Sequence, residues 1–69
     1  MRFSYNKLWK LLIDKGWTKS ELRKKAGISS STIAKLGKGE NVTTDILIKI
    51  CIALNRRIEA IIEIVDKNE

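Results

Sequence analysis

Three times in this chain a hydrophobic residue stands directly before a Ser or Thr, and a second hydrophobic residue follows five positions after the first. The three instances are Trp17-Thr18 with Leu22, Ile28-Ser29 with Ile33, and Val42-Thr43 with Leu47. The pattern joins two local devices. A hydroxyl at the N-cap accepts from an otherwise orphaned backbone N–H, and the two apolar side chains clasp outside the first turn. It marks helix starts near residues 19, 30 and 44. At the first of them Thr18 and Glu21 also make a T-x-x-E capping box, which sets a carboxylate at the positive end of the helix.

The chain has no proline, so its helix stops must come from glycines. Gly27 supplies the left-handed residue that ends a helix over 19–26 and turns the chain at once into the next, through a connection of only Gly27-Ile28-Ser29. The second capped helix covers 30–36 and ends at Gly37 or Gly39, where Gly37 lowers helix propensity and predicts fraying. The third covers 44–54, with Leu47, Ile50, Cys51 and Leu54 as its buried stripe. An earlier helix spans 5–15, with Leu8, Leu11 and Leu12 inward and Gly16 as its stop. After Asn55 the run R-R-I-E-A-I-I-E-I-V-D predicts a short fifth helix over 57–62. It then alternates through Ile62, Glu63, Ile64, Val65 and Asp66 with the character of a strand. R-F-S-Y at the other end is similar, and the sequence leaves open whether the two termini pair as a short β-ribbon. The expected fold is all-α: one compact five-helix bundle over residues 1–69.

Composition narrows the chemistry. A chain of 69 residues, 43% of them hydrophobic, holds one small core and one domain. It has one cysteine and no histidine, so neither an internal disulfide nor the usual zinc ligand set is expected. No nucleophile stands beside a base and no Gly-rich phosphate loop is present, so neither an enzyme nor a cofactor is expected. The start lacks a signal-like apolar run, and no stretch is long enough to span a bilayer, which together predict a cytoplasmic protein. Cys51 reads as a small core residue rather than a reactive thiol.

The net charge is +6, and its distribution says more than its sum. Residues 1–38 carry ten Lys and Arg against Asp14 and Glu21, whereas residues 39–69 carry four against six acids. The first half therefore presents a positive field suited to phosphate backbones. Two helices joined by a three-residue turn with glycine, the second short and rich in hydroxyls, make a helix-turn-helix arrangement. In it the second helix enters the DNA major groove while the first bridges phosphates.

The run W-T-K-S-E-L-R-K-K-A-G-I-S-S-S-T-I-A-K-L-G-K-G-E resembles the motif of the Cro/phage-repressor type, or XRE-like, transcriptional regulators, a lambda-repressor-like fold. Val42-Thr43 followed by L-x-x-I-C-x-A-L resembles that family's fourth helix, so the likeness extends from about Lys7 to Ile62. The resemblance implies base contacts from Ser30, Ser31 and Lys35, with Thr32 and Ala34 as neighbours. It also implies phosphate contacts from Lys19, Lys38, Gly39 and Asn41. Ser29 is read as the structural N-cap. For Ser30 and Ser31 ordinary helix-start composition is the competing account, and for Lys35 a solvated lysine is.

The sequence departs from the family at three places. Lys19 stands where many relatives carry a glutamine, so a diffuse charge contact would replace a directed hydrogen bond. Arg23 stands where a small alanine is usual, so its stem must snorkel past the helix contact. Gly37 replaces a common acidic residue.

One such module reads few base pairs, so a homodimer on double-stranded DNA is expected. Ile48 and Ile52 point away from the buried stripe of their helix and, with Ile61, Ile62 and Ile64 downstream, form the expected dimer face. The alternative is that the C-terminal strand or first helix covers them within the monomer. Trp9 and Trp17 are read as packing residues rather than stacking platforms for single strands. A membrane partner and a small-molecule effector are not expected. The function implied is a sequence-specific regulator, a repressor on a palindromic operator, working at the nucleoid. The competing class is a protein-interaction module on the same fold, such as an antitoxin or a phage-borne inhibitor.

Overall fold

All three capped starts form as hydrogen-bonded structures in the computed structural model, which describes residues 2–65. Thr18 Oγ1 accepts from the Glu21 N–H at 3.1 Å while Glu21 Oε1 accepts from the Thr18 N–H at 3.1 Å, which closes the capping box. Ser29 Oγ accepts from the Thr32 N–H at 3.2 Å, and Thr43 Oγ1 from the Ile46 N–H at 3.3 Å. The chain runs β1 (Arg2–Ser4), α1 (Asn6–Lys15), α2 (Lys19–Ala26), α3 (Ser30–Lys38), α4 (Thr44–Leu54), a 3₁₀ turn (Ile58–Ala60) and β2 (Glu63–Val65).

The helix ends share one backbone motif. The N–H groups of Trp17, Ile28, Glu40 and Arg56 each reach back five residues, to the carbonyls of Leu12, Arg23, Lys35 and Cys51. This is the Schellman closure, and it needs a left-handed residue just beforehand. Gly27 fills that role at φ 70°, and Asn55, at φ 54°, is the positive-φ position held without glycine.

Two expectations are corrected. The helix predicted over 30–36 continues through Gly37 to Lys38 and stops at Gly39, which takes φ 74°. Gly37 weakens that turn, but Leu36 is fully packed and the Lys35 and Leu36 carbonyls are closed by Glu40 and Gly39, so the helix holds for two residues more. The helix predicted over 57–62 shrinks to the single 3₁₀ turn. Ile61 is buried and Ile62 half-buried, but Ile58, one turn before them, faces solvent, so a longer helix has no continuous inward stripe to stabilise it. From Glu63 the chain instead takes its backbone partners from β1. The termini do pair, as an antiparallel ribbon with Arg2 opposite Val65, Phe3 opposite Ile64 and Ser4 opposite Glu63. Asp66, the last residue of the sequence alternation, lies outside the described residues.

The core gathers Leu8 and Leu12 from α1, Leu22 from α2, Leu36 from α3, Leu47, Ile50 and Leu54 from α4, and Ile61 from the 3₁₀ turn. Leu11, Ile33 and Cys51 flank it half-buried. Burial pushes the Cys51 thiol up, and Glu59 pushes it further, so it stays protonated at neutral pH. Tyr5 is buried as well, and its hydroxyl donates to the Glu40 carbonyl at 2.8 Å, which fastens the start of α1 to the loop after α3. Burial raises its pKa, which keeps the phenol a donor. Among the described residues no helix is long and apolar enough to cross a membrane.

Gly37 is an exposed, right-handed helical residue whose added Cβ would meet only Lys19 Nζ, at an ordinary 3.7 Å. Gly37→Ala is therefore expected to raise stability by about 1 kcal/mol, read as a higher midpoint in urea unfolding.

Candidate nucleic-acid interface

The surface of α3 is set by which of its residues the core claims. Leu36 is taken inward and Ile33 half so, which leaves Ser30, Ser31, Ala34, Lys35 and Lys38 exposed along one side. Ser31 and Lys35 stand one turn apart on that side, as do Ser30 and Ala34. This exposed stripe, at the end of a two-helix unit joined by three residues, carries donors, acceptors and positive charge without an acid.

The four hydroxyls of residues 29–32 are not equivalent. Ser29 Oγ caps the helix and also lies 3.0 Å from Ser31 Oγ and 2.9 Å from Thr32 Oγ1, so three of the hydroxyls share one small cluster. Thr32 is half-buried within it, turned away from the exposed stripe, whereas Ser31 remains exposed. Ser30 lies apart, in a groove shared with Lys19, Ser20, Arg23 and Ile33. The sequence reading gave Arg23 only a packing problem. Here the residue is half-buried and lines the groove between α2 and α3, and its place one turn after Lys19 was the available signal.

Lys19 is held more firmly than a diffuse surface charge. Its Nζ lies 4.7 Å from the centre of the Trp9 ring, a cation–π contact worth about 0.5–1 kcal/mol at an exposed site. Gly37 lies beside the ammonium, and an added Cβ there would meet Lys19 Nζ only at an ordinary 3.7 Å. Trp17 is flanked in the same way, with Lys15 Nζ at 5.7 Å and Lys25 Nζ at 5.0 Å from its ring. Both tryptophans are half-buried against the core, so each ring packs on one side and carries lysine on the other.

The last residue of α3 and the loop after it hold the remaining expected phosphate contacts. Lys38 and Asn41 are exposed and Gly39 half-buried, at the C-terminal end of the stripe. Ribbon residue Arg2 lines clefts with both Lys38 and Asn41, a neighbourhood the sequence alone did not reveal. Among the described residues no three His, Cys, Asp or Glu side chains converge to hold a metal.

The isoleucines expected at a dimer face divide between α4 and the C-terminal strand, where Ile64 shares a cleft with Arg2 and Asn41. Ile48 is 54% exposed, Ile52 74% and Ile64 63%, so within the monomer neither the ribbon nor α1 covers them. Ile62 is half-buried. Ile61, expected to join this face, belongs instead to the core at 0% exposure. Ile58, in the 3₁₀ turn, and Ile13, on α1, are exposed apolar residues that sequence reasoning did not single out.

Comparison with known proteins follows the same geometry. Residues 7–67 match the model of the Cro/C1-type HTH DNA-binding domain. The crystal structure of the transcriptional regulator VanUg, in Form II, aligns with a TM-score of 0.92 at 55% sequence identity, covering 96% of this chain and 88% of that one. No curated protein sequence matches the chain.

The cap and the exposed stripe differ in what they do for the fold. Ser29→Ala is expected to cost about 1 kcal/mol of stability through loss of the cap, whereas Ser30→Ala stays within about 0.5 kcal/mol of the parent. Urea unfolding of the two variants checks this.

Proposed function

The chain belongs to the Cro/C1-type helix-turn-helix DNA-binding family, a non-enzymatic class, and from that premise we propose that it is a transcriptional regulator that binds a specific duplex sequence. The observation that carries this is the exposed, acid-free stripe of α3, with Ser31 and Lys35 one turn apart on a helix whose N-cap is already satisfied by Ser29. VanUg, so similar in structure, is itself a transcriptional regulator.

In this reading α3 lies in the major groove. Lys35 donates to the O6 and N7 edge of guanine, and Ser30 and Ser31 use short hydroxyls that pair with several bases. Thr32, tied to the cap, orients its neighbours and meets the groove edge. Lys19, Lys38, Asn41 and the Gly39 backbone take phosphates on either side and fix the register. The protein acts as a repressor, occupying a palindromic operator at the nucleoid as a homodimer. Exposed Ile48 and Ile52 on α4, with Ile62 and Ile64 at its margin, supply the dimer face, which leaves α3 of each protomer free for DNA. No small-molecule effector enters this scheme.

The same isoleucines favour a second reading, in which the fold serves to bind another protein, as an antitoxin or phage-borne inhibitor would. Salt separates the two. Each phosphate contact contributes about 0.9 to the slope of log K against log salt, whereas apolar contact is nearly indifferent to it.

Selection from a random duplex pool is expected to enrich a two-fold symmetric site with half-sites about one helical turn, ~34 Å, apart. Lys35→Ala should relax preference at one base position by about 1–3 kcal/mol. Enrichment of no sequence would overturn the regulator reading in favour of a protein partner. Light scattering of Ile48→Glu combined with Ile52→Glu is expected to show monomer mass, with the parent as dimer. An unchanged mass and unchanged DNA affinity would remove this face from the scheme.

A further inference from the structure

The terminal ribbon does more than close the fold, because it carries a cation to the edge of the DNA-facing surface. Arg2 is paired through the backbone with Val65, and three residues later the buried Tyr5 donates its hydroxyl to the carbonyl of Glu40. The segment is therefore fastened on both sides of Phe3, once to β2 and once to the loop that follows α3. From this fixed strand the exposed Arg2 lines one cleft with Trp9, Lys38 and Gly39, and a second with Phe3, Asn41 and Ile64. Neither lining contains an Asp or Glu, and residues 2–9 carry none either.

We infer that Arg2 is a further contact to the DNA backbone, its guanidinium taking a phosphate next to those met by Lys38 and Asn41. The inference rests on the reading of this face as a duplex interface and extends it to a residue outside the helix-turn-helix. Two physical points favour arginine at this place. The planar fork of donors matches two phosphate oxygens at once, and a strand anchored at both ends removes much of the freedom that a loose terminal arm would lose on binding. An Arg held this way adds affinity without base preference, since a phosphate carries no sequence information.

The experiment is titration of a labelled random-sequence duplex, by anisotropy across a salt series, with the full chain, Arg2→Gln, Arg2→Lys and Lys38→Gln. For Arg2→Gln the slope of log K against log salt is expected to fall by roughly one unit, so that between about 50 and 200 mM salt it loses about fourfold less affinity than the parent. Arg2→Lys, which keeps the charge, is expected to restore the slope. Thermal midpoints should be equal for all four proteins. If Lys38→Gln flattens the slope and Arg2→Gln leaves it at the parental value, the contact is refuted while the interface stands. If Arg2→Lys behaves like Arg2→Gln, Arg2 acts through the fold rather than by charge, and the inference fails. Absence of salt-dependent binding by the parent would overturn both this inference and the reading beneath it.

Discussion

The orientation of the whole surface depends on the link Gly27-Ile28-Ser29. Gly27 takes the left-handed conformation that closes α2, Ile28 is driven into the core, and Ser29 caps α3 one residue later. None of the three has a free conformational choice once the others are set, so the link behaves as a rigid joint rather than a loop. Leu22, Ile28 and Leu36 all join the one buried core, which fixes the two helices as a unit. Residues at the far end of α3 inherit that precision, which is what a surface needs to present several side chains to a groove at once.

Much of the fold was legible because its devices are local. Thr18, Ser29 and Thr43 announce helix starts within four residues of chain, and α2 and α4 fall on their predicted spans. What the sequence obscured was decided at long range. The choice between Gly37 and Gly39 turns on the burial of Leu36 and on a bond from Glu40 back to Lys35. The fifth helix gives way to a strand because β1, at the opposite end of the chain, offers backbone partners that no local pattern records. The same division holds for the site. The exposed positions of α3 follow from helical period alone, whereas the approach of Arg2 to Lys38 and of Lys19 to Trp9 is tertiary and could be read only in space.

Gly37 weakens α3 locally with no tertiary return, because an added Cβ would meet only the Lys19 ammonium at an ordinary contact distance. Lys19 takes its place from Trp9 instead, with its Nζ 4.7 Å from the ring centre. A side chain already laid on an aromatic face has fewer rotamers to lose on meeting a partner.

The four helices end in a motif made almost wholly of backbone hydrogen bonds, and three of them begin at a hydroxyl standing outside the helix proper. Consequently the exposed positions of α3 owe nearly nothing to the architecture that holds them up. A lineage carrying this scaffold can exchange Ser30, Ala34 or Lys35 and present a different surface there while its folding machinery stands still. Ser31 and Thr32 are less free, because their hydroxyls share the cap of Ser29, and drift at those two positions would be slower for that reason.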